Sequence, residues 1–145
     1  MDNEKNTSVQ DTEKNIKESA KAAETLTKLT QKMKEDGMDF DTYTHTFAKP
    51  FTYEGQTYDK LSFDWTTLTG RDSLAIEAEI MMKKKKTVVN AAYSEDYLAG
   101  MAVRACTYRS EIGRRIDLDA MEAMPLTDFL QICNHARYFL LASGL

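Results

Sequence analysis

The sequence predicts an α+β fold: a polar N-terminal arm, one antiparallel β-hairpin, and three or four helices. Three observations predict it. Between residues 43 and 66, aromatic and aliphatic side chains alternate with small or polar ones at a period of two, as half-buried strands require. From residue 70 onward, apolar residues recur three and four apart, behind residues suited to capping a helix. Residues 1–38 contain no aromatic residue and no proline, and mix both signs of charge.

The arm, residues 1–38, carries Val9, Ile16, Ala23, Leu26, Leu29 and Met33 at roughly helical spacing, diluted by Asn, Thr, Ser and Lys. A lone helix with so little apolar area is marginal in water. The arm is therefore expected to be mobile, ordering on a partner or a second subunit, and to end at Gly37. Residues 39–145 are expected to form one domain.

In the hairpin, 43–66, Tyr43, His45, Phe47, Phe51 and Tyr53 face one way, as do Leu61, Phe63 and Trp65 after the turn signal Glu54-Gly55-Gln56. A two-residue loop pairs Phe51 with Tyr58 but sets Phe47 opposite Ser62, on the wrong face. A three-residue loop instead pairs Phe47 with Phe63 and His45 with Trp65. The expectation is thus an odd loop, or a bulge near Lys49-Pro50, where proline cannot donate to the ladder.

Helices are expected over about 70–85, 95–112 and 126–142. Leu74, Ala78, Met81 and Met82 form the apolar face of the first. Ser94 caps the second, with Leu98, Met101, Ala102, Ala105 and Ile112 as its stripe. A short turn or helix at Asp117–Met124 stops before Pro125. The last helix carries Phe129, Cys133, Ala136 and Leu140 and ends near Gly144.

Composition narrows the function. The chain has 145 residues, 42% hydrophobic and 10% aromatic, enough for a core. A net charge of −4 and a pI near 5.2 argue against nucleic acid as the main partner. The charged opening MDNEKNTSVQ does not resemble a secretory leader, and the strongly apolar run Tyr138–Ala142 is too short to span a bilayer. Two cysteines in expected helices, Cys106 and Cys133, read as reduced core residues of a cytosolic protein.

Few candidate sites point to chemistry. In Leu68-Thr69-Gly70-Arg71-Asp72, Thr69 and Asp72 resemble a capping box at a strand-to-helix joint. A phosphate cradle is disfavoured there, because Asp72 occupies the end where an anion would bind. Cys133 and His135 lie roughly 200° apart around a helix, so they close on no metal, and no cofactor is expected. His45 reads as a core or edge histidine on the aromatic face. Asp39 with Asp41, and Asp117 with Asp119, read as caps or solvated loops, and no catalytic signature points to an enzyme. Lys83–Lys86 read as a solvated helix end. The eight methionines are more suggestive, because thioether side chains repack around varied partners. Met81, Met82, Met101 and Tyr108, with Leu140 and Leu141 nearby, are expected to line a protein-binding contact.

The segment PFTYEGQTYDKLSFDWTTLTGRDSLAIEAEI, residues 50–80, and the closing MPLTDFLQICNHARYFL, residues 124–140, resemble the tail assembly chaperones of long-tailed bacteriophages and Mu-like prophages. The matching positions are Leu68, Gly70 and Asp72 in the joint, and Asp128, Phe139 and Leu140 in the last helix; the resemblance covers about residues 47–141. The long polar arm and the four-lysine run depart from the family pattern. The resemblance implies a non-enzymatic protein of the host bacterial cytoplasm that coats the tape measure protein, helps recruit tail tube subunits and is absent from the finished particle. The other readings are a tail component retained in the particle, an oligomeric scaffold built by the arm, and a small enzyme.

Overall fold

The computed structural model describes residues 2–144, with side chains from residue 9 onward. The side chains of residues 1–8, part of the stretch used to argue against a leader, lie outside the described part. The fold is α+β: helix α1 (Asp2–Glu35), strands β1 (Thr42–Tyr53) and β2 (Gln56–Asp64), then helices α2 (Gly70–Lys84), α3 (Glu95–Ala105), α4 (Leu118–Ala123) and α5 (Leu126–Ala142).

The arm forms one helix. Its last turns join the domain: Leu26 packs against the core, Thr30 is buried, and Lys34 Nζ reaches the Ala142 carbonyl at 3.5 Å. Residues 9–22 are exposed throughout. The end is set as the sequence suggests. Gly37 takes φ 98°, its N–H meets the Lys34 carbonyl, and the Met38 N–H meets that of Met33, the paired bonds of a Schellman motif.

The hairpin resolves its register conflict through the bulge. The loop has two residues, since Tyr53 pairs with Gln56 and Phe51 with Tyr58. Glu54 and Gly55 have φ of 48° and 77°, the twist a type I′ turn requires. Beyond Phe51 the register shifts, so that residues 47–50 face Asp59 alone before Thr46 meets Lys60. Those extra residues, Pro50 among them, return Phe47 to the buried face (5% exposed). The three-residue loop and the pairs it implied do not form; His45 lies opposite Leu61 and Tyr43 opposite Phe63. The outer face is held by polar cross-strand pairs, Thr44 with Ser62 and Thr52 with Thr57.

Helix α3 ends at Ala105, not near residue 112. Cys106 turns extended (ψ 125°), pairs with Phe63 as an antiparallel bridge, and lets the Thr107 N–H reach the Ser62 carbonyl at 2.8 Å. The chain thereby covers part of the open edge of β2, which would otherwise present unpaired backbone groups. Ile112, expected on the α3 stripe, is 87% exposed in the following loop. Asp117 caps α4 by accepting from the Ala120 N–H, and α5 starts after Pro125.

The core gathers Leu61, Phe63 and Trp65 from the hairpin, Leu98 and Ala102 from α3, Met121 from α4, and Ile132, Cys133 and Ala136 from α5. Each large side chain buried this fully contributes roughly 1.5–3 kcal/mol. Arg137 pins α5 to its neighbours, donating to the Ala92 carbonyl and to Glu95. No helix among the described residues is long and apolar enough to cross a membrane.

Candidate client-binding face

The strand-to-helix joint sets where α2 begins and how it lies. The Asp72 carboxylate accepts from the Thr69 amide at 2.8 Å, the return bond of a capping box, and also from the Thr69 hydroxyl at 3.1 Å. Its other oxygen takes a bond from Arg104 of α3 at 2.9 Å. The Thr69 amide, and then Arg104, hold the Asp72 carboxyl below its usual range. The N-terminus of α2 is therefore occupied by the protein's own anion. Half-buried Leu68 packs beneath it against the core.

Downstream, α2 turns a second apolar stripe inward. Ile76 and Ile80 are buried, at 2% and 6% exposure. Ile76 nests against Gly100 of α3, where even a Cβ would stand 2.7 Å from Ile76 Cγ2. The apolar face read from the sequence, which carries the expected contact residues Met81 and Met82, is outside: Leu74 is 70% exposed, Met81 43% and Met82 75%, with Ala78 between them. Ile76 and Ile80 win because β-branched side chains of fixed shape fit the close approach that glycine allows.

The lysine run closes α2 and borders this face. Lys85 adopts φ 55° and donates its amide to the Met81 carbonyl. Lys83 pairs with Glu79 at 3.0 Å, Lys84 with Asp96 and Glu122 at 3.3 and 3.2 Å, and Lys86 with Asp96. Glu79 raises Lys83, and Glu122 followed by Asp96 raises Lys84. Lys86, more than Lys84, lowers Asp96 against the opposing cost of its burial. These cations serve the fold before they could serve a polyanion. Lys84, one turn from Met81, also lines an open groove of about 280 Å³ together with Asp96, Ala99, Glu122, Met124, Leu126 and Phe129.

The other residues expected at a contact are not brought there. Met101, Leu140 and Leu141 are buried at 2%, 7% and 1%, so they fill the core and offer no surface. Burial of the α3 stripe and of the α5 inner side accounts for all three. Tyr108 packs edge-on against Tyr58, 5.2 Å between ring centroids, and accepts from Gln56; it belongs to the hairpin. Met121 and Met124 are likewise core. The sequence missed Leu126 and Leu130, at 71% and 39% exposure. Their i, i+4 spacing was the available signal.

One polar cluster resembles a catalytic relay. His45 Nε2 lies 2.7 Å from Asp128 Oδ1, and His45 Nδ1 lies 2.8 Å from the Tyr43 hydroxyl. Both ring nitrogens of His45 are thereby engaged, one by a carboxylate and one by a phenol. Tyr43 also stacks on His135, 3.6 Å between centroids. Burial, and next His45, push His135 below its ordinary value, while burial and then Asp128 raise Tyr43. His45 is 1% exposed and presents no atom to a substrate, so the relay ties β1 to the start of α5. Cys133 faces the core, away from His135, and no group of three or more His, Cys, Asp or Glu among the described residues could hold a metal.

Comparison of the chain with protein-family models, with curated proteins and with solved structures finds no match.

Proposed function

We propose that this protein is a tail assembly chaperone that binds the tape measure protein and helps recruit tail tube subunits. The observation that carries the reading is the outward placement of Leu74, Met81 and Met82 on a helix whose inner side is already filled by Ile76 and Ile80. Apolar side chains held outward on a rigid helix suit an amphipathic client helix. Methionine lets one surface accept helices of differing sequence. The charged rim of Glu79, Lys83 and Lys84 keeps the contact small and reversible, as a chaperone later displaced by tube subunits requires. The resemblance of residues 50–80 and 124–140 to that family supplies the identity of the client. On this reading the protein performs no chemistry, works in the cytoplasm of the infected or lysogenic bacterium, and leaves before the particle is complete.

Co-expression with the cognate tape measure protein tests it. The chaperone reading expects the client to stay soluble and co-purify, and expects mass spectrometry to find the protein in lysates but not in purified particles. A stoichiometric signal in particles would instead make it a structural tail component.

A further inference from the structure

The second surface of interest is the free part of α1. Val9, Ile16, Ala23 and Thr30 stand seven residues apart, with Ser19, Leu26 and Met33 forming a parallel row. At 100° per residue these rows bound a strip roughly 120° wide that holds no charged side chain from Val9 to Met33. Every Asp, Glu and Lys between those residues falls on the remaining surface.

The C-terminal half of the strip is in use. Ala23, Leu26, Thr27 and Met33 are half-buried and Thr30 is fully buried where α1 runs along α5. The same strip then continues off the domain without changing character, and Val9 and Ile16 lie on it at 57% and 63% exposure. An uncovered helix of this composition is marginal, so the continuation calls for a second helical surface.

We propose that this strip pairs with the α1 strip of a second copy of the chain, forming a short, reversible two-helix contact. Continuity with the packed seam gives the location. Charge argues for a like partner. Residues 2–35 hold seven acidic and seven basic side chains, so two copies do not repel, and the strip offers no charge to select an acidic or basic stranger. Val9 and Ile16 occupy one heptad position of the free part, with Thr12 and Ser19 at the other, so each copy brings two apolar side chains to the seam. With so few buried positions the contact is weak, at the small end of specific interfaces. The inference does not depend on the client reading.

Sedimentation velocity of the full chain from about 1 μM to about 1 mM spans the dissociation range of a contact this small. The expected result is a mass rising from monomer toward dimer, and a monomer at every concentration for Ile16→Lys. Lys14→Ala, on the charged side, should leave the transition within about twofold of the native chain. Circular dichroism of Ile16→Lys should keep the domain's melting transition, separating lost pairing from lost folding. A native chain that stays monomeric throughout overturns the proposal. So does a dimer that survives Ile16→Lys, because its interface would lie elsewhere.

Discussion

Replacing Gly100 with alanine probes the approach that turns the apolar face of α2 outward. At an unconstrained helix-interior site, Gly→Ala gains about 1 kcal/mol. Here the new Cβ would lie 2.7 Å from Ile76 Cγ2 and 3.2 Å from Cγ1. Both atoms sit on a branched, 2%-exposed side chain that cannot swing aside. Overpacking of this kind costs roughly 1–3 kcal/mol, so Gly100→Ala should destabilise by about 1 kcal/mol net, or about 3 °C in Tm for a chain of this size. The Ile76→Ala background removes both clashing atoms, at its own cost of roughly 2–5 kcal/mol. In that background the same glycine substitution should stabilise by about 1 kcal/mol, a coupling near 2 kcal/mol. Urea denaturation of the four proteins measures it. A stabilising Gly100→Ala in the native background, with no coupling to Ile76, would refute the close α2–α3 approach and the orientation of α2 derived from it.

Asp72→Ala removes the acceptor shared by the Thr69 amide and Arg104 and should cost about 1–2 kcal/mol at neutral pH. Because the folded Asp72 pKa lies below its ordinary 3.8, its contribution is complete above that value and fades as pH falls through the folded one. The deficit of the variant in urea melts should therefore shrink in acid. His135 has the same sign: its folded pKa is depressed below 6.5, so the neutral ring stabilises above 6.5 and that stability is lost as pH drops through the folded value. His135→Phe, which keeps a ring to stack on Tyr43, should flatten the Tm profile between pH 7.5 and 5; an unchanged slope would assign it to other groups. The Cys133 thiol is pushed up to about 12 by burial, and burial also raises Cys106. A thiol reagent at mild pH should modify neither in the folded protein and both in urea, and labelling of either at free-thiol rates would contradict their burial.

The features legible in the sequence were those fixed by neighbours in the chain. Glu54-Gly55 makes a turn, Thr69 and Asp72 make a cap, Gly37 ends α1, and Pro125 separates α4 from α5, each through local backbone geometry. What escaped was decided by distant contacts. Helix α2 has two apolar stripes, Leu74-Ala78-Met81-Met82 and Ile76-Ile80, and periodicity assigns no inside to either; Gly100 of another helix does. The end of α3 depends on an open β2 edge for Cys106 and Thr107 to meet. Met101, Leu140 and Leu141 read as spare apolar surface only while α3, α5 and the hairpin are considered apart. Of the contact expected from sequence, Met81 and Met82 lie on the outside, and Leu74 of the same helix face joins them.

The α2 face is tested most directly by binding of the cognate tape measure protein to the native chain and to Leu74→Lys/Met82→Lys, measured by calorimetry alongside each protein's thermal melt. Both positions are solvent-exposed, so folding stability should change by less than about 1 kcal/mol while affinity falls at least tenfold. Undiminished affinity in a variant that folds normally would contradict the assignment of this face to the client.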